Sequence, residues 1–285
     1  MQRRFPACNT QYPYLNHFED KDMNTFLKKA VLALAIAIAG AASLAQANVV
    51  GGQTDTSSPF QTGVAEYPLT SAGAAGASVT GQVGGLTAAF SHYARPAYYN
   101  STADIYNVSG RQLVADGAPG AGSPVDHSGV GVWSFAQVGS EDVWYGTWSE
   151  ESTSGAVGTK VAGTHNAWYV GEDSDVATTL PASATYTVRS INNSTQTATS
   201  VLSATFNGGS NGTASSTGDI AFSGGSINTV GNDVQLAASG VSVASNSGTG
   251  GSLTGNFYGT GASSVAGAVA FADRDLNTAF GGAKN

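Results

Sequence analysis

Three histidines follow residue 47, His92, His127 and His165, and two of them sit where a metal ligand would be useful. His92 lies in the aromatic stretch Phe90-Ser-His92-Tyr93-Ala-Arg95-Pro96-Ala-Tyr98-Tyr99. A neutral imidazole in apolar, tyrosine-rich surroundings can ligate haem iron, and two imidazoles can close both axial positions. Arg95 offers a cation to a propionate. Tyr93, Tyr98 and Tyr99 offer flat walls that carry hydroxyls. His127 follows the Gly/Pro-rich loop Ala115 to Val125, whose backbone can fold over a planar ligand. A haem site built from these residues would take His92 and His127 as metal ligands, with Tyr93, Arg95, Tyr98 and Tyr99 around it. The competing reading of either histidine is a structural or exposed residue. His165, just before Trp168 and Tyr169, reads equally well as a packing residue.

Catalytic motifs are missing. The sequence has no GxSxG elbow, no HExxH, no phosphate-binding GxxxxGK[ST] and no CxxC pair, so no catalytic residue is assigned and a non-enzyme is expected. Asp219, Asp233, Asp273 and Asp275 do not form the spaced acidic run of a calcium loop. The small clusters Glu150-Glu151 and Glu172-Asp173-Ser174-Asp175 could hold calcium weakly, but solvated turns are the simpler reading.

These residues stand on an exported chain. Taking Met23 as the start, Lys28 and Lys29 form a positive n-region, Ala30 to Gly40 the apolar core, and Ala45-Gln46-Ala47 the small-x-small cleavage pattern. Residues 23–47 are thus expected to be a signal peptide, and residues 1–22 an upstream mis-assigned start. The apolar run is short for a bilayer span, so no membrane anchor is expected. The single cysteine, Cys8, precedes the signal, which leaves the mature chain without disulfides and without a thiol to lipidate at the cleavage point. The expected product is secreted, passing through the periplasm and the outer membrane. After Ala47 there are six Lys and Arg against sixteen Asp and Glu, a net charge near −10. That balance argues against nucleic-acid binding through phosphate neutralisation.

The mature chain shows no sustained 3.6-residue apolar period. Short alternating runs dominate instead, among them Val130–Phe135, Asp142–Trp148, Ala184–Ile191 and Val201–Phe206. Period-two alternation predicts strands with one face inward and one in solvent. Asn/Gly clusters between the runs supply the positive φ of tight hairpins. From about residue 160 they recur at meander spacing, and closing such a sheet removes its edges. The expected fold is all-β: an N-terminal β-rich clamp or handle domain over 48–155, then an eight-stranded antiparallel β-barrel over 156–285. An open sandwich is the alternative to the barrel.

The C-terminal run Gly255-Asn-Phe257-Tyr258-Gly259, then Val265-Ala266-Gly267 to Phe271, then Ala279-Phe280-Gly281-Gly282, resembles the closing strands of the transferrin-binding-protein-B-type barrel. Ala167-Trp168-Tyr169-Val170-Gly171 and Thr179 to Val188 look like that barrel's opening strands, with Phe257 and Phe271 facing its interior. Without a lipidation cysteine, the chain is most similar to the secreted haemophores called hemophilins, which depend on a Slam translocon. The resemblance implies haem capture, export across the outer membrane through a Slam-type translocon, and delivery to a TonB-dependent receptor. A secreted effector that binds a host protein such as transferrin or a complement regulator, or that mediates colonisation, is the alternative. Trp144, Tyr145 and Trp148 would suit such an interface, or ordinary packing between domains.

Overall fold

The computed structural model describes residues 48–66, 72–173, 179–193, 197–209 and 211–285; the leader, the signal segment and part of the acidic run at 172–175 lie outside them. Nearly every described stretch with alternating polarity is a strand. Two sheets and a barrel result, and all strand pairs are antiparallel.

The N-terminal region opens with β1 (Asn48–Gln53), followed by the small sheet β2 (Phe60–Val64), β3 (Ala75–Val79) and β4 (Ala88–Ala89). One helical turn, α1 (Phe90–Tyr93), follows directly. The chain then forms β5 (Tyr99–Asn100), β6 (Ile105–Ser109) and the short helix α2 (Gly110–Ala115). The Ser109 side chain caps α2 by accepting from the Gln112 amide. Strands β7 (Val132–Gln137), β8 (Val143–Ser149) and β9 (Asn166–Asp173) complete a six-stranded sheet in the order β1-β9-β8-β7-β6-β5.

The barrel consists of β10 (Ser183–Ile191), β11 (Thr197–Thr205), β12 (Gly212–Gly218), β13 (Ile220–Val230), β14 (Asp233–Val243), β15 (Gly248–Tyr258), β16 (Ser264–Ala270) and β17 (Thr278–Lys284). It is closed: β10 pairs with β11 on one side and with β17 on the other. In β10 the alternation is plain, with Tyr186 and Val188 buried between exposed Thr185 and Thr187. The interior is filled by Tyr186, Phe206, Phe257, Phe280 and aliphatic side chains, so it is a packed core. Phe280 lies across Gly267, where a Cβ would come within 2.4 Å of its ring.

Three expectations change. Strands β7 and β8 are buried along nearly their whole length, on both faces. One face packs Trp133, Trp144 and Trp148 against Phe60 and Phe90; the other lays Tyr145 and Val143 on the outside of the barrel, against Ala266, Ala268 and Ala279. Alternation shows which side chains share a face, but not that both faces are covered. The segment Ala167–Gly171, expected among the barrel's opening strands, belongs to β9 and pairs with β8 and β1 in the sheet. Phe257 is inside the barrel as expected, and Phe271, just beyond the end of β16 and half-buried, packs against the same core with its ring at Gly248 and Gly251. Trp144, Tyr145 and Trp148 are 2%, 4% and 2% exposed, so they form no partner-facing patch.

Sheet and barrel are joined closely. The Tyr145 ring occupies the space over Gly281, where a Cβ would meet it at 2.4 Å. The Tyr258 hydroxyl donates to the Val50 carbonyl at 3.1 Å, and Glu141 accepts from the hydroxyls of Ser263 and Ser264. His165 is fully buried at the same junction: its Nε2–H donates to the Asn277 carbonyl at 3.0 Å, which leaves Nδ1 to accept from Ser149 Oγ at 3.2 Å. With both ring nitrogens engaged, His165 is a packing residue. Burial, then the charges of Lys160 and Arg274, push its pKa down to about 3, so it stays neutral.

Candidate functional site

One helical turn places the first candidate ligand. In α1, Phe90 and Tyr93 are three residues apart and so share a face, which is buried. Phe90 stacks on Trp168 at 4.4 Å and 14°, and Tyr93 meets Trp133 at 5.1 Å. The Ala94 amide closes the turn on the Phe90 carbonyl at 3.0 Å, and Pro96, which lacks an N–H, starts a new 3-10 turn. His92, between the two anchored aromatics, projects to the side into a cavity of about 320 Å³.

His127 reaches the same cavity from the loop after α2. Its loop is tied at several points. The His127 amide donates to the Pro119 carbonyl at 2.9 Å, the Asp126 carboxylate accepts from the Ser128 amide at 2.8 Å, and the Asp126 carbonyl accepts from the Val83 amide at 2.9 Å. Gln82 Oε1 accepts from the Gly129 amide at 3.0 Å. This anchoring fixes the loop that the Gly/Pro composition only suggested.

The hydrogen bonds also set the tautomers. His127 Nδ1 lies 3.3 Å from the Pro119 carbonyl oxygen, which can only accept, so the proton is on Nδ1 and the lone pair on Nε2. At His92 the partner is the Arg95 guanidinium, which can only donate; Nη2 is 3.0 Å from His92 Nε2, so that nitrogen too carries its lone pair. Arg95 Nε–H donates as well to the His92 carbonyl at 2.9 Å. Burial, followed by the charges of Arg95 and His127, lowers the His92 pKa, which favours the neutral ring that a metal requires.

Tyr93, Arg95 and Tyr98 line the cavity with the two histidines. The Tyr98 hydroxyl donates to Asp116 at 3.1 Å, and Gln112 Nε2 holds the same carboxylate at 2.9 and 3.0 Å. Burial and then Asp116 raise the Tyr98 pKa, so it keeps its proton. Asp116 was not legible as part of the site, since its role depends on a tyrosine eighteen residues away. Val83, Ala88 and Leu113 supply apolar wall.

Tyr99 is not brought to this cavity. It begins the extended β5, where neighbouring side chains point to opposite sides, and its hydroxyl donates to Asp104. It borders a separate space of about 370 Å³ with Tyr145 and Arg189, where Arg189 pairs with Asp104. Glu151, weighed for calcium, accepts from the Arg111 and Gly158 amides instead. Among the described residues no three His, Cys, Asp or Glu are grouped to hold a metal ion.

The cavity thus offers two imidazoles, an arginine and apolar walls, and this donor set fits haem. At about 320 Å³ it is near the bottom of the range of roughly 300–1,000 Å³ for ligand pockets. A porphyrin would therefore be gripped along part of its face and leave an edge outside.

Residues 44–161 match the family model of the HphA N-terminal heme-binding domain. Both candidate ligands and the whole cavity fall within that span, and the match supports haem as the ligand. Solved structures similar to this chain include the intact Ap-TbpB with N and C lobes, at 12% identity over 55% of this chain and 36% of that one, TM-score 0.35. The isotype 1 transferrin binding protein B of serogroup B Neisseria meningitidis is 13% identical over 55% and 33%, also with TM-score 0.35. The N-lobe of lactoferrin binding protein B from Moraxella bovis is 14% identical over 54% and 80%, TM-score 0.32. The chain spans about a third of the length of the first two.

Proposed function

With residues 44–161 matching an HphA-type heme-binding domain, we propose that the protein is a secreted haemophore: it captures haem b and hands it to an outer-membrane TonB-dependent receptor. The observation that carries this reading is that His92 and His127, thirty-five residues apart, line one cavity, each with its Nε2 lone pair set by a neighbouring group. His92 Nε2 and His127 Nε2 would be the two nitrogens that hold the haem iron, Arg95 would meet a propionate, and Tyr93 and Tyr98 would flank the ring. The protein binds and carries, and catalyses nothing.

The route outward rests on sequence. The signal at 23–47 leads to the periplasm, a Slam-type translocon takes the chain across the outer membrane, and with no lipidation cysteine the product diffuses freely. Among the described residues no helix is long and apolar enough to cross a membrane. We divide the mature chain at about residue 155 into a ligand-binding part and a barrel part, with β9 the strand that the second lends to the first sheet. The junction at Tyr145, Gly281 and His165 makes the barrel a rigid support for the binding domain.

Titration of the mature protein with haemin tests the function. A sharpened Soret band and sub-micromolar dissociation support it; no spectral change overturns it.

A further inference from the structure

Arg95 touches His92 twice, and both contacts use one edge of the guanidinium. Nε–H goes to the His92 carbonyl at 2.9 Å and Nη2–H to the ring Nε2 at 3.0 Å. A carboxylate gripped side-on by arginine takes those same two N–H groups. The lone pair that Arg95 occupies is the one His92 needs for iron. Among the described residues Arg95 makes no ion pair and is the only Arg or Lys lining the cavity. Its side chain is exposed at the rim, so it can turn outward without disturbing the core.

We infer that Arg95 is a carboxylate-released latch on His92: a propionate that captures the guanidinium frees Nε2, so recognition of the ligand's carboxylates and ligation of its iron are coupled. This rests on reading His92 and His127 as the axial pair. Carboxylate binding and latching compete for one fork, so a porphyrin with propionates lifts the block while it docks. A porphyrin without them meets His127 readily but must displace Arg95 from His92 with nothing to hold it away. The ligation-competent fraction of His92 scales its apparent ligation constant. One exposed hydrogen bond of ordinary net strength, about 1 kcal/mol, sets that handicap at roughly fivefold. Arg95 is a positioning residue here, acting on iron through His92. The arrangement selects against neutral metalloporphyrins as well as for haem.

The test is a four-way comparison of wild type and Arg95→Ala, each with haemin and with haemin dimethyl ester, read as the low-spin six-coordinate fraction by absorption and electron paramagnetic resonance. Wild type with haemin should be low-spin, and with the ester it should retain a high-spin five-coordinate fraction. Arg95→Ala should raise the ester's His92 ligation constant about fivefold, raising its low-spin fraction, while weakening haemin overall. A wild-type ester complex as fully low-spin as haemin's, or an Arg95→Ala ester complex no more low-spin than wild type's, overturns the latch. Haemin that stays high-spin with the wild type overturns the axial assignment itself, and the latch with it.

Discussion

The rings of Phe90 and Trp168 lie 4.4 Å apart and 14° from parallel, joining the single turn that carries His92 to strand β9 of the six-stranded sheet. Phe90 also meets Trp133, Phe135 and Trp144, so it is the stud on which α1 is fixed. A four-residue helix has almost no stability of its own. The position of His92 is therefore a consequence of this aromatic packing rather than of helix propensity.

Phe90→Ala should cost about 3–5 kcal/mol in urea unfolding, as large buried truncations do. Phe90→Leu keeps more of the volume and should cost less, yet still weaken haemin binding, because α1 loses its stacked anchor. Parallel urea melts and haemin titrations check this. Full haemin affinity in a folded Phe90→Leu variant would show that α1 needs no such anchor.

The tautomers are directly observable. In the ligand-free protein, long-range proton–nitrogen correlation spectra should show both His92 and His127 protonated at Nδ1, since Pro119 accepts from one ring and Arg95 donates to the other. A proton on His127 Nε2 would contradict the geometry assigned to that ligand.

His165 makes stability depend on acid. Its folded pKa of about 3 lies below the ordinary histidine value of 6.5 because burial, then the charge of Lys160 and, less, that of Arg274 oppose protonation, while the Asn277 hydrogen bond works the other way. The unfolded chain takes up a proton as pH falls through 6.5, while the folded one refuses it until about 3. Stability present above pH 6.5 is accordingly lost progressively across that window. Thermal melts should fall in that range, and His165→Asn, which cannot titrate, should show a shallower decline even if it is less stable at neutral pH. Parallel profiles would remove His165 as the cause.

Gly281 marks where the barrel receives the sheet. A Cβ there would sit 2.4 Å from the Tyr145 ring, so Gly281→Ala should force the two layers apart and cost about 1–3 kcal/mol, the range for overpacking. Tyr145→Ala in the same background should recover part of that loss, as a double-mutant cycle of melts would show.

Much of this was legible in the sequence and some was not, for identifiable reasons. Tyr186 and Val188 alternate with exposed threonines, so β10 and the closed meander after it could be read directly. Ala167–Gly171 was equally clear as a strand, but nothing local says that it pairs with β1, more than a hundred residues earlier. Pairing partners are a long-range property. His92 and His127 stood out by type and neighbours, whereas Tyr99 was drawn in by proximity along the chain and left out by the alternation of β5. Arg95 could be assigned a propionate from its charge, but its contact with His92 depends on the backbone reversing between α1 and Pro96.

The central claim is that two histidines hold one iron. Electron paramagnetic resonance of the ferric haem complex of wild type, His92→Ala and His127→Ala tests it most directly. The wild type should give a low-spin, bis-imidazole spectrum, and each single variant a high-spin one with weaker haemin binding. A low-spin spectrum that survives unchanged in either variant would contradict the assignment of that histidine, and one that survives in both would place the haem elsewhere.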